Sequence, residues 1–118
     1  MANPNVVGVS SIYGKTVTKA ATTSYVTLLA GASDKLLKVN TILVANKNTS
    51  ANKHVSMTYN DGSTVVNIAE EIAVPAKATL VLIDKSTSLY MDNGHIIQVK
   101  GQSTDIEFTI SYEEIDDA

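Results

Sequence analysis

The sequence predicts an all-β domain: an antiparallel β-sandwich, for which a jelly-roll topology is one candidate, with an extended N-terminal arm. Three observations lead there. Val, Ile and Thr number 13, 10 and 13 of 118 residues, and β-branched side chains suit a pleated surface better than a helix. Several segments alternate apolar and polar residues, the signature of a half-buried strand. Turn residues recur every 8–12 positions, as sandwiches require. The length fits a single domain spanning residues 1–118.

The elements follow in order. Residues 1–11, "MANPNVVGVSS", show no strong period and are expected to form the arm. "YGKTVTKA" reads as an edge strand, and "TSYVTLLAG" as a second strand ended by the loop "AGASD". "KLLKVNTILVAN", Lys35 to Asn46, reads as one long strand, and "NKNTSANK" as a polar loop. "HVSMTY" places Val55, Met57 and Tyr59 on one face, and "NDG" then supplies residues that tolerate positive φ, a hairpin signal.

The partner segment, "TVVNIAEEIAV", is ambiguous. Val65, Ile68, Ala69 and Ile72 follow helical spacing. Strand is preferred because Val-Val starts a helix poorly and Pro75 cuts the segment short. "VPAKATLVLID" holds four consecutive large apolar residues, Leu80 to Ile83, and is expected to be a strand buried on both faces, with one face open to cover by a neighbouring subunit. Pro75 confines its start to a strand end or bulge, and Asp84 closes it with a turn. "SLYMDNGHIIQVKG" reads as a second hairpin. In "DIEFTISY", Ile106, Phe108, Ile110 and Tyr112 share one face. The acidic tail is residues 113–118.

Composition excludes several functions. With no cysteine there is neither a disulfide framework nor a thiolate metal site. All nine basic residues are lysine and lie scattered, and with no arginine or tryptophan the chain lacks the usual means of reading nucleic acid. The start shows no signal peptide, and no apolar run approaches the roughly 20 residues of a membrane span. The expectation is synthesis in the cytoplasm with no membrane partner.

Candidate chemistry is sparse. His54 and His95 lie in no metal-ligand spacing. A triad of serine, His95 and Asp84 can be drawn, but no G-x-S-x-G elbow accompanies it. Glu70 and Glu71 are adjacent and would point to opposite faces of a strand, so they cannot share a proton. Asp61, Asp84 and Asp92 lie beside turns, where aspartate caps its own backbone. No phosphate-cradling glycine motif is present. No enzyme, cofactor, metal or small-molecule substrate is therefore expected.

The stretch "YNDG…IAEEIAVPAKATLVLIDKSTSLYMDNGHIIQVKG…DIEFTISYEEI", residues 59–115, resembles a family of short β-sandwich virion structural proteins of tailed bacteriophages, cyanophages included. The shared marks are a "VPA-x-ATL" lead-in to a strand, a "LY-x-x-x-G" hairpin and a closing "SYEEI". The opening "MANPNVV" is similar too. The resemblance implies a non-enzymatic particle component, foremost a capsid decoration (cement) protein on the virion surface. It would bind the major capsid protein and copies of itself, with a trimer as the first guess. A neck, tail or fibre module with receptor or glycan binding is the alternative, for which Tyr13 and Tyr90 would supply an exposed patch. The expected contact residues are Ala2, Asn3, Pro4, Asn5, Val6 and Val7 in the arm, and Glu113, Glu114, Ile115, Asp116 and Asp117 in the tail.

Overall fold

Among the described residues, nine strands in two antiparallel sheets form the sandwich. A computed structural model describes residues 11–87 and 89–116. One sheet runs β1 (Ser11–Ala20), β9 (Ile106–Asp116), β3 (Lys35–Asn46), then β6 (Thr79–Ile83), with β7 (Leu89–Met91) beside β6 on the same edge of β3. The other runs β2 (Val26–Ala30), β8 (Ile96–Gly101), β4 (Lys53–Asn60), β5 (Val65–Val74). With β6 and β7 counted as one interrupted strand, this is the eight-strand jelly-roll order. The expected arm, residues 1–11, lies outside the described residues except for Ser11, which opens β1.

The alternation read from β9 sets the core. Ile106, Phe108 and Ile110 are fully buried, with Tyr112 nearly so. They meet Val55 and Met57 from β4 and Ile97 and Val99 from β8. On β3 the buried set runs Leu37, Val39, then Ile42, Val44. The parity changes because β3 advances two residues between Val39 and Thr41 while β9 advances one, from Tyr112 to Ser111. This bulge at Asn40 keeps both halves of a twelve-residue strand facing inward.

β5 is a strand carrying two bulges, and of Val65, Ile68, Ala69 and Ile72, the set at helical spacing, only Ala69 is buried. Between Ile72 and Ala69 it passes one residue more than β4 does, and again between Ala69 and Asn67. Of its ten residues only Ala69 and Val74 are buried. Two expectations need correction. The four apolar residues of β6 are not buried on both faces: Ile83 is 6% exposed, Val81 is 53% exposed, and Leu80 and Leu82 lie between. A register shift of β6 against β3 at Ile42 and Leu43 turns Ile83 inward. The second hairpin does not form either. β7 pairs with β3 whereas β8 pairs with β2 and β4. The turn at residues 92–94 is local, closed by His95 N–H donating to the Asp92 carbonyl at 3.1 Å, but it carries the chain from one sheet to the other.

The first hairpin forms as read. Asn60 pairs with Val65, Gly62 takes φ +97°, and Asp61 Oδ1 accepts from the backbone N–H of Thr64 at 2.8 Å and Ser63 at 3.1 Å. Asp84 organises the 3-10 turn Lys85–Thr87, accepting from Ser86 Oγ at 2.6 Å and Ser86 N–H at 3.0 Å. These donors hold both carboxyls below the usual carboxylate range: chiefly the Thr64 N–H for Asp61 and the Ser86 hydroxyl for Asp84. The stability they contribute is complete above about pH 3.8, the unfolded value, and is lost as pH falls through the lowered folded values. Melting temperature measured down the acid limb should therefore fall less steeply in an Asp61→Asn, Asp84→Asn double variant, which keeps an acceptor but cannot titrate.

The loop read as simply polar has a buried anchor. Asn46 is 1% exposed. Its amide donates to the Ala51 carbonyl at 3.0 Å and the Val74 carbonyl at 2.9 Å, while its Oδ1 accepts from Asn48 N–H at 2.9 Å. One side chain thus ties the end of β3, the β3–β4 loop and the end of β5. Asn46→Ala removes three hydrogen bonds, one to a buried carbonyl and two to part-buried groups, and is expected to cost about 2 kcal/mol. Urea denaturation would show it as a lowered midpoint.

Candidate interaction surface

The expected contact residues fare unequally. Ala2 to Val7 and Asp117 lie outside the described residues. Residues 113–116 do not form a tail; they are the last rungs of β9, held between β1 and β3. Lys15 meets Glu114 at 3.1 Å, and Lys35 meets Glu114 at 3.3 Å and Asp116 at 2.7 Å. The Asp116 hydrogen bond, foremost, raises the Lys35 pKa. Two acids and two lysines compensate one another here, so the segment is less free to seek a basic partner than its composition indicates. Ile115 is 3% exposed and sits across from Ile12 and Leu36, which removes it from the docking surface.

The two histidines occupy different settings. His95 Nδ1 lies 2.6 Å from the Tyr59 hydroxyl and accepts from Asp92 N–H at 3.3 Å. Tyr59 also reaches the Tyr90 carbonyl at 2.9 Å, and burial, followed by the charges of Asp61 and Asp92, pushes its phenol pKa up. This cluster pins the turn at residues 92–94 to the β4–β5 hairpin. His95 and Asp84 thus face other partners, and the triad drawn from the sequence is not assembled. His54 lines a pocket of about 250 Å³ with Ser56, Glu71, Lys100 and Gln102. Glu71 enters it through a bulge: its φ is +48°, and its N–H donates to Ser56 Oγ at 2.9 Å. Such left-handed backbone is uncommon away from glycine. The pairing of Glu70 with Glu71 was legible in the sequence, but the bulge that aims Glu71 depends on β4. Lys100 also lies over the Tyr25 ring at 4.8 Å. Among the described residues, no group of three or more His, Cys, Asp or Glu could hold a metal ion.

The surface is better marked by apolar side chains. Nine large hydrophobic residues are exposed among those described. Seven lie on β1 and β5: Ile12, Tyr13 and Val17 on the first, Val65, Val66, Ile68 and Ile72 on the second. Among the described residues both are sheet-edge strands, where an unpaired backbone ladder invites another chain. Tyr13 and Tyr90, each about half exposed, lie on opposite edges of one sheet, separated by β9 and β3. That span is about 14 Å at the usual strand spacing, so they do not form one aromatic platform.

Comparison with known proteins gives fold-level likeness only. No protein-family model matches, and no curated protein matches. Two solved structures, each a crystal structure of a pentameric capsid protein isolated from metagenomic phage sequences, are similar in fold. The first shares 13% identity at a TM-score of 0.48 and the second 12% at 0.45, each over 86% of this chain. The chain spans 63% and 62% of their lengths.

Proposed function

We propose that this protein is a non-enzymatic structural component of a bacteriophage particle, most specifically a decoration protein that binds the major capsid protein and stabilises the head. The carrying observation is the concentration of exposed apolar side chains on two strands that, among the described residues, stand at sheet edges, a surface suited to assembly. The motif resemblance to virion structural proteins supports the particle assignment. The jelly-roll order agrees with it, since capsid domains use that architecture, although lectins do too. The separation of Tyr13 from Tyr90 weighs against the glycan-binding alternative.

In this reading the arm residues 2–7 lie on the capsid lattice. Glu113, Glu114 and Asp116 add a smaller electrostatic contribution, limited by the contacts of Glu114 and Asp116 with Lys15 and Lys35. Quantitative mass spectrometry of purified particles tests the assignment. Hundreds of copies per particle are expected, whereas tens or fewer would place the protein at a neck or tail. Deletion of residues 1–11 should lower occupancy on the head, and full occupancy by the truncated chain would refute the arm's role.

A further inference from the structure

The two apolar edges differ in charge. β1, "SIYGKTVTKA", carries Lys15 and Lys19 and no acid; β5, "VVNIAEEIAV", carries Glu70 and Glu71 and no base. Both strands are ten residues long. Each pairs on one side only among the described residues, β1 with β9 and β5 with β4. Like-with-like contact would bring together two edges of the same charge, +2 with +2 or −2 with −2. Contact between unlike edges brings a strand with two lysines against a strand with two glutamates and keeps the apolar side chains of both in one interface.

We infer that copies of this chain associate head to tail, with β1 of one copy against β5 of the next. This rests on the reading of the chain as an assembly module and names the surfaces involved. A two-fold dimer uses the same patch twice, whereas a contact between different patches propagates, closing into a ring if the rotation permits. Laid antiparallel and end to end, with Ser11 opposite Val74, the strands bring Tyr13 opposite Ile72. Lys15 then meets the bulge at Glu70 and Glu71. The rungs from Ile72 to Val74 follow regular pairing with β4, so this end of β5 offers an undistorted edge. The bulges further along interrupt a continuous ladder, and there the contact relies on side chains: Val17 and Lys19 against Ile68 and Val66.

The native chain contains no cysteine, which makes disulfide trapping specific. Tyr13→Cys and Ile72→Cys alter side chains 51% and 40% exposed, so neither substitution threatens the core. Under mild oxidation, mixing the two single variants should give a cross-linked dimer that neither gives alone. The chain carrying both substitutions should give a ladder of multimers ending at the ring size. Glu70→Lys with Glu71→Lys should reduce the ladder at least tenfold, with the effect shrinking in high salt. Cross-linking of Tyr13→Cys alone would establish like-with-like contact and overturn the proposal. So would native chains that sediment as oligomers while the mixed variants fail to cross-link, or native chains that stay monomeric at the highest concentration tested. None of these outcomes touches the particle assignment, which stands or falls on copy number in purified particles.

Discussion

Phe108→Ala is expected to cost about 3–5 kcal/mol, the range for deleting a buried aromatic ring. Phe108 is the only phenylalanine and is fully buried. It stands on β9, which is paired on both sides, so that Lys19 of β1 and Val44 of β3 flank it. The backbone around it is held by two ladders and cannot collapse into the void. A domain of this size has about 5–15 kcal/mol in total, so the variant should lose a large part of its margin. The measurement is the urea midpoint at constant slope. Phe108→Leu, which restores most of the volume, should cost less than half as much. A loss under about 1 kcal/mol for alanine would contradict the close packing assigned to this face.

Gly31→Ala is the second large effect, and it operates through backbone. Gly31 N–H donates to the His95 carbonyl at 2.8 Å, joining the β2–β3 loop to the turn that crosses between the sheets. A Cβ at this position would overlap the Asp92 carbonyl oxygen and lie 2.8 Å from its carbon. No rotamer change relieves a clash with main chain, so one of the two loops must move. The expected cost is about 3 kcal/mol, at the upper end of overpacking effects. Because that turn is also pinned by Tyr59 and His95, the displacement should reach the tyrosine, and its fluorescence should report it. Gly14→Ala is the control: a Cβ there meets nothing within 4 Å, and melting temperature should be unchanged or slightly raised. Equal losses at both glycines would show that intolerance is a property of the residue type and not of this contact.

Local pattern was legible wherever one strand face meets the core and the other meets solvent. β9 was read with its buried residues, and β4 with Val55 and Met57, because alternation records a single choice of face along the strand; β3 was read as a strand, but its bulge at Asn40 changes the buried face partway along. The Asn60–Gly62 turn was legible because its donors and acceptors lie within four residues. Failures fell where a partner strand decides. The turn at residues 92–94 looks like a hairpin from its composition, yet Leu89–Met91 and Ile96–Gly101 belong to different sheets. A turn specifies a reversal but not which neighbour the outgoing strand will find. The two bulges of β5 were likewise not legible, because a bulge is a relation between two strands. The acidic end of β9 misled in a third way, since its lysine partners are 81 and 99 residues distant in sequence.

The candidate surface divides along the same line. The valines, isoleucines, lysines and glutamates of β1 and β5 were visible from the start, as was their charge. The edge position of β1 was read from "YGKTVTKA" and holds, whereas that of β5 was not legible in its segment. Both positions follow from β9 threading between β1 and β3, and β8 between β2 and β4. By itself the sequence determined an all-β chain, the core faces of β4 and β9 and the position of the Asn60–Gly62 turn, because backbone sterics and alternating burial act over a few residues. Only the tertiary structure decided which edges stay open, which carboxylates meet lysines and which apolar residues remain in water, because each depends on pairing between segments far apart in the chain.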